Sequence, residues 1–289
     1  MSALEVRPVR PGTAELEGAA ELCGEPASEL AAWLASLPPG IEPVALCVGD
    51  QVIAYGLDLV RELARTGVAK LVRVYAYDRD SGLALVAHAV AQARAARARA
   101  LEAGIARAPG VGDALAARGW RRIESHVTMG RPARGLAGSA PLPAGVVERT
   151  LAEVGDAAFV EVGNVAFAAT PGAFPLTRDD FARIRLEPGF ADGAFCRALA
   201  DSEGPIGFLR GHLLPEGIGE VVALGLVPRA RGRGLGRWLL HRCEQLLEGG
   251  GARELKLSVA ASNVAAFALY EREGYREESR RDVYEIALG

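Results

Sequence analysis

Short apolar runs alternate with stretches of helical period along this chain, and the whole order of elements comes round twice. Residues 4–10 read as a short strand. Ala14 to Leu37 is rich in Ala, Leu and Glu and reads as helical, broken at Pro26 and stopped by Pro38-Pro39-Gly40. Val44–Val48 and Val52–Val60 flank Gly49-Asp50, the signal of a hairpin. Lys70–Tyr77 is a further strand, Leu83–Leu101 a helix, Gly112–Arg118 a short helix ended by Gly119, and Trp120–Met129 a closing strand. Residues 131–145, RPARGLAGSAPLPAG, have the composition of a linker.

The second half begins with a strand, Val146–Thr150, and a helix, Leu151–Ala169. A loop at Pro171–Gly189 carries a short helix near Asp179–Arg185. Phe195–Ala200 and Ile206–Leu214 pair as a hairpin. Glu220–Val227 is a buried strand, Gly234–Leu247 a helix stopped by Gly249-Gly250-Gly251, and Glu254–Val259 a strand. Asn263–Glu273 is a helix, and Tyr275–Leu288 closes the sheet. The halves end alike: Leu115-Ala-Ala-Arg-Gly-Trp120 matches Tyr270-Glu-Arg-Glu-Gly-Tyr275 in kind. The pattern predicts a divergent tandem duplication, with domains at 1–133 and 146–289 joined by a linker at 134–145.

Chemistry gathers at residues 221–240, VVALGLVPRARGRGLGRWLL. A β-branched and leucine-rich strand runs into a glycine-rich turn and then a helix. Glycine lets backbone approach a ligand closely, and the first N–H groups of a helix lack intrahelical partners and carry partial positive charge. This combination is a cradle for a pyrophosphate. A Walker A loop is excluded, because no Gly-Lys-Ser/Thr follows. A dinucleotide fingerprint starting at Gly232 fails at its sixth position, which is Arg237. Arg/Gln-x-x-Gly-x-Gly/Ala fits, through Arg231, Gly234 and Gly236.

Composition narrows the partners. The formal net charge is −3 and half of the residues are hydrophobic. The positive charge is almost all arginine, with lysine only at 70 and 256. That balance speaks against nucleic acid. Arg94, Arg97 and Arg99 near the end of the first long helix read as a solvated face or a basic binding face. No apolar run is long enough to span a membrane, and no secretory signal region opens the chain. Cys23, Cys47, Cys196 and Cys243 are too scattered for a zinc site or a disulfide framework, so no metal and a reduced, cytoplasmic setting are expected.

Arg231-x-x-Gly234-x-Gly236 resembles the cofactor turn of the GNAT superfamily of N-acetyltransferases. Leu257 to Tyr270, continuing to Gly274-Tyr275, resembles that superfamily's second signature, in which Asn opens a helix and Tyr follows seven residues later. The resemblance implies an α/β fold of the α+β kind: two tandem GNAT-like domains, each with a mixed, mostly antiparallel sheet flanked by helices. It implies acetyl-CoA as co-substrate. The pantetheine arm would pair with Leu224, Gly225, Leu226 and Val227 where the central strand splays from the next. The pyrophosphate would sit on Arg231, Gly232, Arg233, Gly234, Leu235, Gly236 and Arg237. Asn263, Ala266, Phe267 and Tyr270 would line the rest of the cofactor, with Asn263 also readable as a plain N-cap.

Direct attack of an amine on the thioester needs two proton transfers. The resemblance gives Tyr270 the role of protonating the coenzyme A thiolate. Glu220 stands where some members carry a glutamate base; a water relay is the alternative, and His212 the runner-up. The loop from Thr170 to Gly189, with Phe174, Phe181, Arg183 and Arg185, stands where the family has its acceptor lid.

The first half lacks these features. Ala108 and Leu115 stand where Asn263 and Tyr270 do, and the turn Asp78-Arg-Asp-Ser-Gly82 has one glycine and two aspartates. It is expected to keep the fold without the cofactor site, an arrangement similar to the mycothiol synthase family. The expected activity is acetylation of a small-molecule primary amine, by a monomer or homodimer acting on neither nucleic acid nor membrane. The competing class is an acyl-CoA-binding sensor without catalysis.

Overall fold

The computed structural model describes the chain except for residues 1–3, 36, 38–40, 60–62, 136–140, 171–174 and 187–188. In order, the elements are β1 (Leu4–Pro8), α1 (Ala14–Cys23), α2 (Ala27–Ala35), β2 (Ile41–Val48), β3 (Gln51–Leu59), α3 (Leu63–Thr66), β4 (Val68–Ala76), α4 (Arg79–Ala95), β5 (Ala100–Arg107), α5 (Val111–Ala116) and β6 (Arg121–Pro132). Then follow β7 (Val147–Thr150), α6 (Leu151–Val154), α7 (Asp156–Phe167), α8 (Arg178–Ile184), β8 (Cys196–Asp201), β9 (Gly204–Leu214), β10 (Ile218–Leu226), α9 (Leu235–Gly249), β11 (Glu254–Ala260), α10 (Val264–Arg272) and β12 (Arg276–Ala287). Two compact units result. The first is Met1–Val127 with Ala260–Val264 and Ser279–Gly289; the second is Thr128–Val259 with Ala265–Glu278.

In the first unit β1, β2, β3 and β4 pair antiparallel in sequence, β4 pairs parallel with β5, and β5 pairs antiparallel with the end of β12. Period-two alternation sends Ala45, Cys47 and Val52 to one face, against Leu16, Ala20 and Leu30 of α1 and α2. Leu46, Ala54 and Leu71 go to the other, against Leu85, Val86 and Ala89 of α4 and Leu115 of α5. In the second unit β7, β8, β9 and β10 pair antiparallel, and β10 pairs parallel with β11. The α9 helix buries Leu235, Trp238, Leu239, Leu240, Cys243 and Leu247. Among the described residues no helix is long and apolar enough to cross a membrane, and no three His, Cys, Asp or Glu side chains cluster to hold a metal.

Three expectations are corrected. The helix read at Leu83–Leu101 ends at Ala95, and Ala100–Arg107 is a strand. That strand is buried on both faces between β4 and β12, so it shows no alternation, and its alanines mimic a helix. Consequently Arg94 alone of the three arginines lies in α4, while Arg99 donates to the Thr66 carbonyl at 3.1 Å. The start of the linker-like stretch is core: Arg131 lies in β6 with its side chain 2% exposed. The closing strand Tyr275–Leu288 does not close the second sheet, since Asp282–Ala287 of β12 pair with Ile105–Ala100 of β5 in the first unit.

Candidate functional site

Two neighbouring strands part company in the second unit. β10 and β11 pair in register from Ile218↔Glu254 to Val221↔Leu257 and no further, although both strands continue. β10 stays paired with β9 to Leu226↔Gly207. A register shift between Val221 and Ala223 marks a bulge, and it bends β10 where the pairing stops. Over Ala223–Leu226 the β11-facing edge of β10 therefore lacks a strand partner among the described residues. Backbone groups left this way need hydrogen-bond partners, which the amides of a ligand can supply.

β10 delivers the chain into the glycine turn. Val227 is buried and Pro228–Ala230 make one 3₁₀ turn. The Arg231 guanidinium folds back, Nε to the Leu226 carbonyl at 3.1 Å and Nη2 to the Ala166 carbonyl at 2.9 Å. Arg231 thus pins the turn to β10 and α7 rather than reaching into the cradle. Gly232 and Gly234 both have φ +76°, where a side chain is strained, and a Cβ on either would meet nothing within 4 Å. Packing inside the protein therefore does not explain these glycines; backbone conformation and open space do. Gly234 is the N-cap of α9 without a capping side chain, and no acidic residue lies in the first turn. Among the described residues, the N–H groups of residues 232–237 have no backbone partner, the first closing bond being Trp238 to Gly234 at 3.2 Å. Gly236 meets only Leu226 Cδ1, at 3.9 Å, and the exposed Arg233 and Arg237 flank the turn.

Register assigns the faces of β10. Glu220 opposes His212 and Ala223 opposes Arg210, so these four side chains and Gly225, opposite Phe208, share one face. A Cβ on Gly225 would strike Ala166 Cβ at 2.9 Å and Phe208 Cε1 at 3.0 Å, so glycine there admits α7. Above Ala223 on this face lies a cavity of about 370 Å³, lined by α7, α8, Phe208 and Arg210. Burial and then Arg210 lower His212 to about 4, so its imidazole is neutral at pH 7. Three residues of strand set Glu220 about 10 Å from Ala223, a span for a water relay.

Tyr270 is the buried residue of α10, 7% exposed, with its ring T-shaped to Tyr275 at 6.0 Å. Burial, then Cys243, pushes its hydroxyl up to about 12, so it keeps its proton at neutral pH. The helix is tied to α9 by Glu273, which accepts from Arg237 Nε at 2.7 Å and lies 2.7 Å from His241 Nε2. Tyr275 donates to Glu244 Oε1 at 2.8 Å, and Glu244 Oε2 pairs with Arg131 at 2.8 Å. Ala266 and Phe267 are half-buried in α10, and the exposed Asn263 stands immediately before it.

The lid arginines are engaged. Arg185 bonds Asp156 at 2.9 Å and Asp192 at 3.0 Å, and Arg183 lies 3.5 Å from Asp180. Phe181 is buried in the cavity wall, and Phe174 lies outside the described residues. The corresponding place in the first unit is closed. β4 and β5 pair in register from Val68↔Ala100 to Leu71↔Ala103 and, after register shifts, again at Val74↔Ile105 and Tyr75↔Arg107, almost to the strand ends. Asp78 caps α4 with its own carboxylate, accepting from Ser81 N–H at 2.8 Å, and the Gly82 site is filled by Val111.

The profile of the acetyltransferase (GNAT) family matches residues 166–275, which contain both the turn and α10. The mycothiol acetyltransferase of Streptomyces avermitilis is 33% identical over 282 residues, 92% of this chain and 89% of that protein. The chain belongs to the GNAT family of acetyltransferases. The mycothiol acetyltransferase of Mycobacterium leprae is 31% identical over 275 residues, 83% of this chain and 88% of its own. That of Saccharopolyspora erythraea matches over 48% of its length, at 34% identity across 50% of this chain. Among solved structures, a GCN5-related N-acetyltransferase from Sphaerobacter thermophilus superposes with TM-score 0.78 at 20% identity, covering 99% of this chain and 96% of its own. A tandem GNAT protein from the clavulanic acid biosynthesis pathway gives 0.73 at 18%, covering 99% of each. At those identities the likeness is one of fold, and that fold is the tandem GNAT fold expected from the two signatures.

For this GNAT acetyltransferase, sequence reasoning found the turn, the strand before it and α10. It missed the cavity, whose wall comes from α7 and from Phe208 and Arg210 of β9. The available signal was Gly163, a glycine in a helix whose buried face carries Phe159, Val160 and Val162.

Proposed function

We propose that this acetyltransferase moves an acetyl group from acetyl-CoA to the nitrogen of a small-molecule primary amine, with the co-substrate held by the second half alone. The observation that carries this reading is the contrast in strand pairing: β10 and β11 part after Val221↔Leu257, whereas β4 and β5, after register shifts between Leu71 and Tyr75, are paired again at Val74↔Ile105 and Tyr75↔Arg107. The open edge at Leu224–Leu226 suits the amides of a pantetheine arm, and the uncapped N–H groups of residues 232–237 suit a pyrophosphate. Acetyl-CoA supplies an activated thioester carbonyl. A backbone N–H at the open edge of β10 would stabilise the oxyanion as it develops. The acceptor nitrogen, arriving from the cavity face, forms the C–N bond as the C–S bond breaks.

The ammonium proton leaves through water toward Glu220. His212 is the weaker candidate, because a conjugate acid near 4 takes little of a proton at pH 7. Tyr270 keeps its hydroxyl proton at working pH and delivers it to the departing thiolate. Holding amine and thioester on opposite sides of one strand edge supplies much of the rate. Calorimetric titration with acetyl-CoA tests the reading: one site per chain is expected, and release of coenzyme A should require an added amine. Two sites, or none, would overturn it. Binding without any release would leave an acyl-CoA sensor.

A further inference from the structure

We propose that the acceptor is an apolar primary amine of the arylalkylamine class, its ring seated in the 370 Å³ cavity between α7, α8 and the sheet. This rests on the acetyl-transfer reading above and names the substrate class of that site. Four phenylalanines, Phe159, Phe167, Phe181 and Phe208, stand in the cavity wall. Phe159 is T-shaped to Phe208 at 5.4 Å, Phe167 to Phe208 at 5.8 Å, and Phe159 is tilted against Phe181 at 5.6 Å. These edge-to-face contacts hold one another, so the pocket is formed before a ligand enters and takes a further ring in the same geometry.

The polar groups around it do not serve a polyhydroxylated guest. Asn164 spends its amide on the backbone of Leu176, Nδ2 donating to the carbonyl at 3.0 Å and Oδ1 accepting from the N–H at 2.8 Å. That bond pair pins the Leu176 segment as a wall of the cavity. Sugar hydroxyls buried there out of reach of Arg210 would go without a partner, at about 1–3 kcal/mol each. Arg210 is the one ionisable group in the lining. Together with burial it drives His212 toward its neutral form, and an ammonium brought to the same face is driven toward free amine, the nucleophilic form. The wall also reaches Ala223, where the open edge of β10 begins, so an amine on a short tether from the ring arrives beside the thioester.

The test compares 2-phenylethylamine and tryptamine with glucosamine, following coenzyme A release at saturating acetyl-CoA. The arylalkylamines should exceed glucosamine in kcat/KM by about 100-fold or more. Straight alkylamines should gain about fourfold per added methylene until the cavity is full, the equivalent of about 0.8 kcal/mol per CH₂. Gly163→Leu directs its side chain at Phe208, whose Cζ lies 3.4 Å from a Cβ there. It should raise KM for 2-phenylethylamine at least about tenfold and leave calorimetric acetyl-CoA affinity unchanged. The alkylamine series on the unaltered protein decides the matter if that variant fails to fold. Preference for glucosamine, or a flat alkylamine series, overturns the acceptor class while acetyl transfer stands. No acetyl-CoA binding, and no release with any amine, overturns the acetyl-transfer reading and this inference with it.

Discussion

Gly234 separates the demands of the backbone from the demands of a ligand. At φ +76° any L residue is strained by about 1–2 kcal/mol. No protein atom lies within 4 Å of where a Cβ would stand, so Gly234→Ala adds no clash. Its expected effect on the free protein is that strain alone, at about 2–4 °C of Tm per kcal/mol. Gly234→Glu carries the same backbone strain and also a carboxylate at the mouth of six N–H groups. With the carboxylate about 5 Å from a phosphate charge and an effective dielectric near 20, the repulsion is about 3 kcal/mol per charge. That corresponds to more than about 100-fold in affinity. The assay pairs thermal melting of both free variants with calorimetric titration by acetyl-CoA. Equal losses of Tm, with affinity lost mainly in Gly234→Glu, are expected. The deficit of the Glu variant should also shrink in 1 M salt, where charges are screened within about 3 Å. An affinity for Gly234→Glu within about threefold of the unaltered protein would refute the cradle.

Other outcomes follow from the same geometry. Tyr270→Phe should lower kcat by about 10²–10⁴-fold while acetyl-CoA affinity holds; equal loss in both would make Tyr270 a packing residue. His212 is lowered to about 4 in the folded chain, so the unfolded chain binds the extra proton between about pH 6.5 and 4. Stability should therefore fall as pH drops through that window, by on the order of 3 kcal/mol, and His212→Gln should flatten the urea-unfolding profile there. An unchanged profile would sink the assignment. Glu244→Leu leaves the Arg131 guanidinium buried without its counter-ion and the Tyr275 hydroxyl without its acceptor. A cost of about 3–5 kcal/mol is expected, largely recovered when Arg131→Met is added. Burial raises the Glu244 carboxyl despite Arg131, which already marks the ionised pair as poorly solvated. A single-variant cost below about 1 kcal/mol would refute it.

What could be read in advance was local. The strand–glycine–helix passage at residues 221–240 is a run of neighbours, and Gly232 and Gly234 act through their own φ. The two aspartates of the turn at 78–82 are equally local, and Asp78 caps α4 by accepting from the Ser81 N–H. The β5 strand was missed because burial on both faces erases its period and leaves only an alanine-rich composition. The pairing of Arg185 is not legible in the sequence, because Asp156 lies 29 positions away and meets it only in the fold.

The sequence alone determined the tandem GNAT architecture, through an order of elements that comes round twice, and it pointed to the candidate pyrophosphate turn and Tyr270 through short-range motifs. Tertiary structure decided which strand β12 pairs with, where β10 leaves β11, that Gly225 lets α7 approach the sheet, and that Gly163 lines a cavity beside it. Those outcomes depend on which distant strands and helices meet. Burial energy is nearly indifferent to order along the chain, so no local pattern records them.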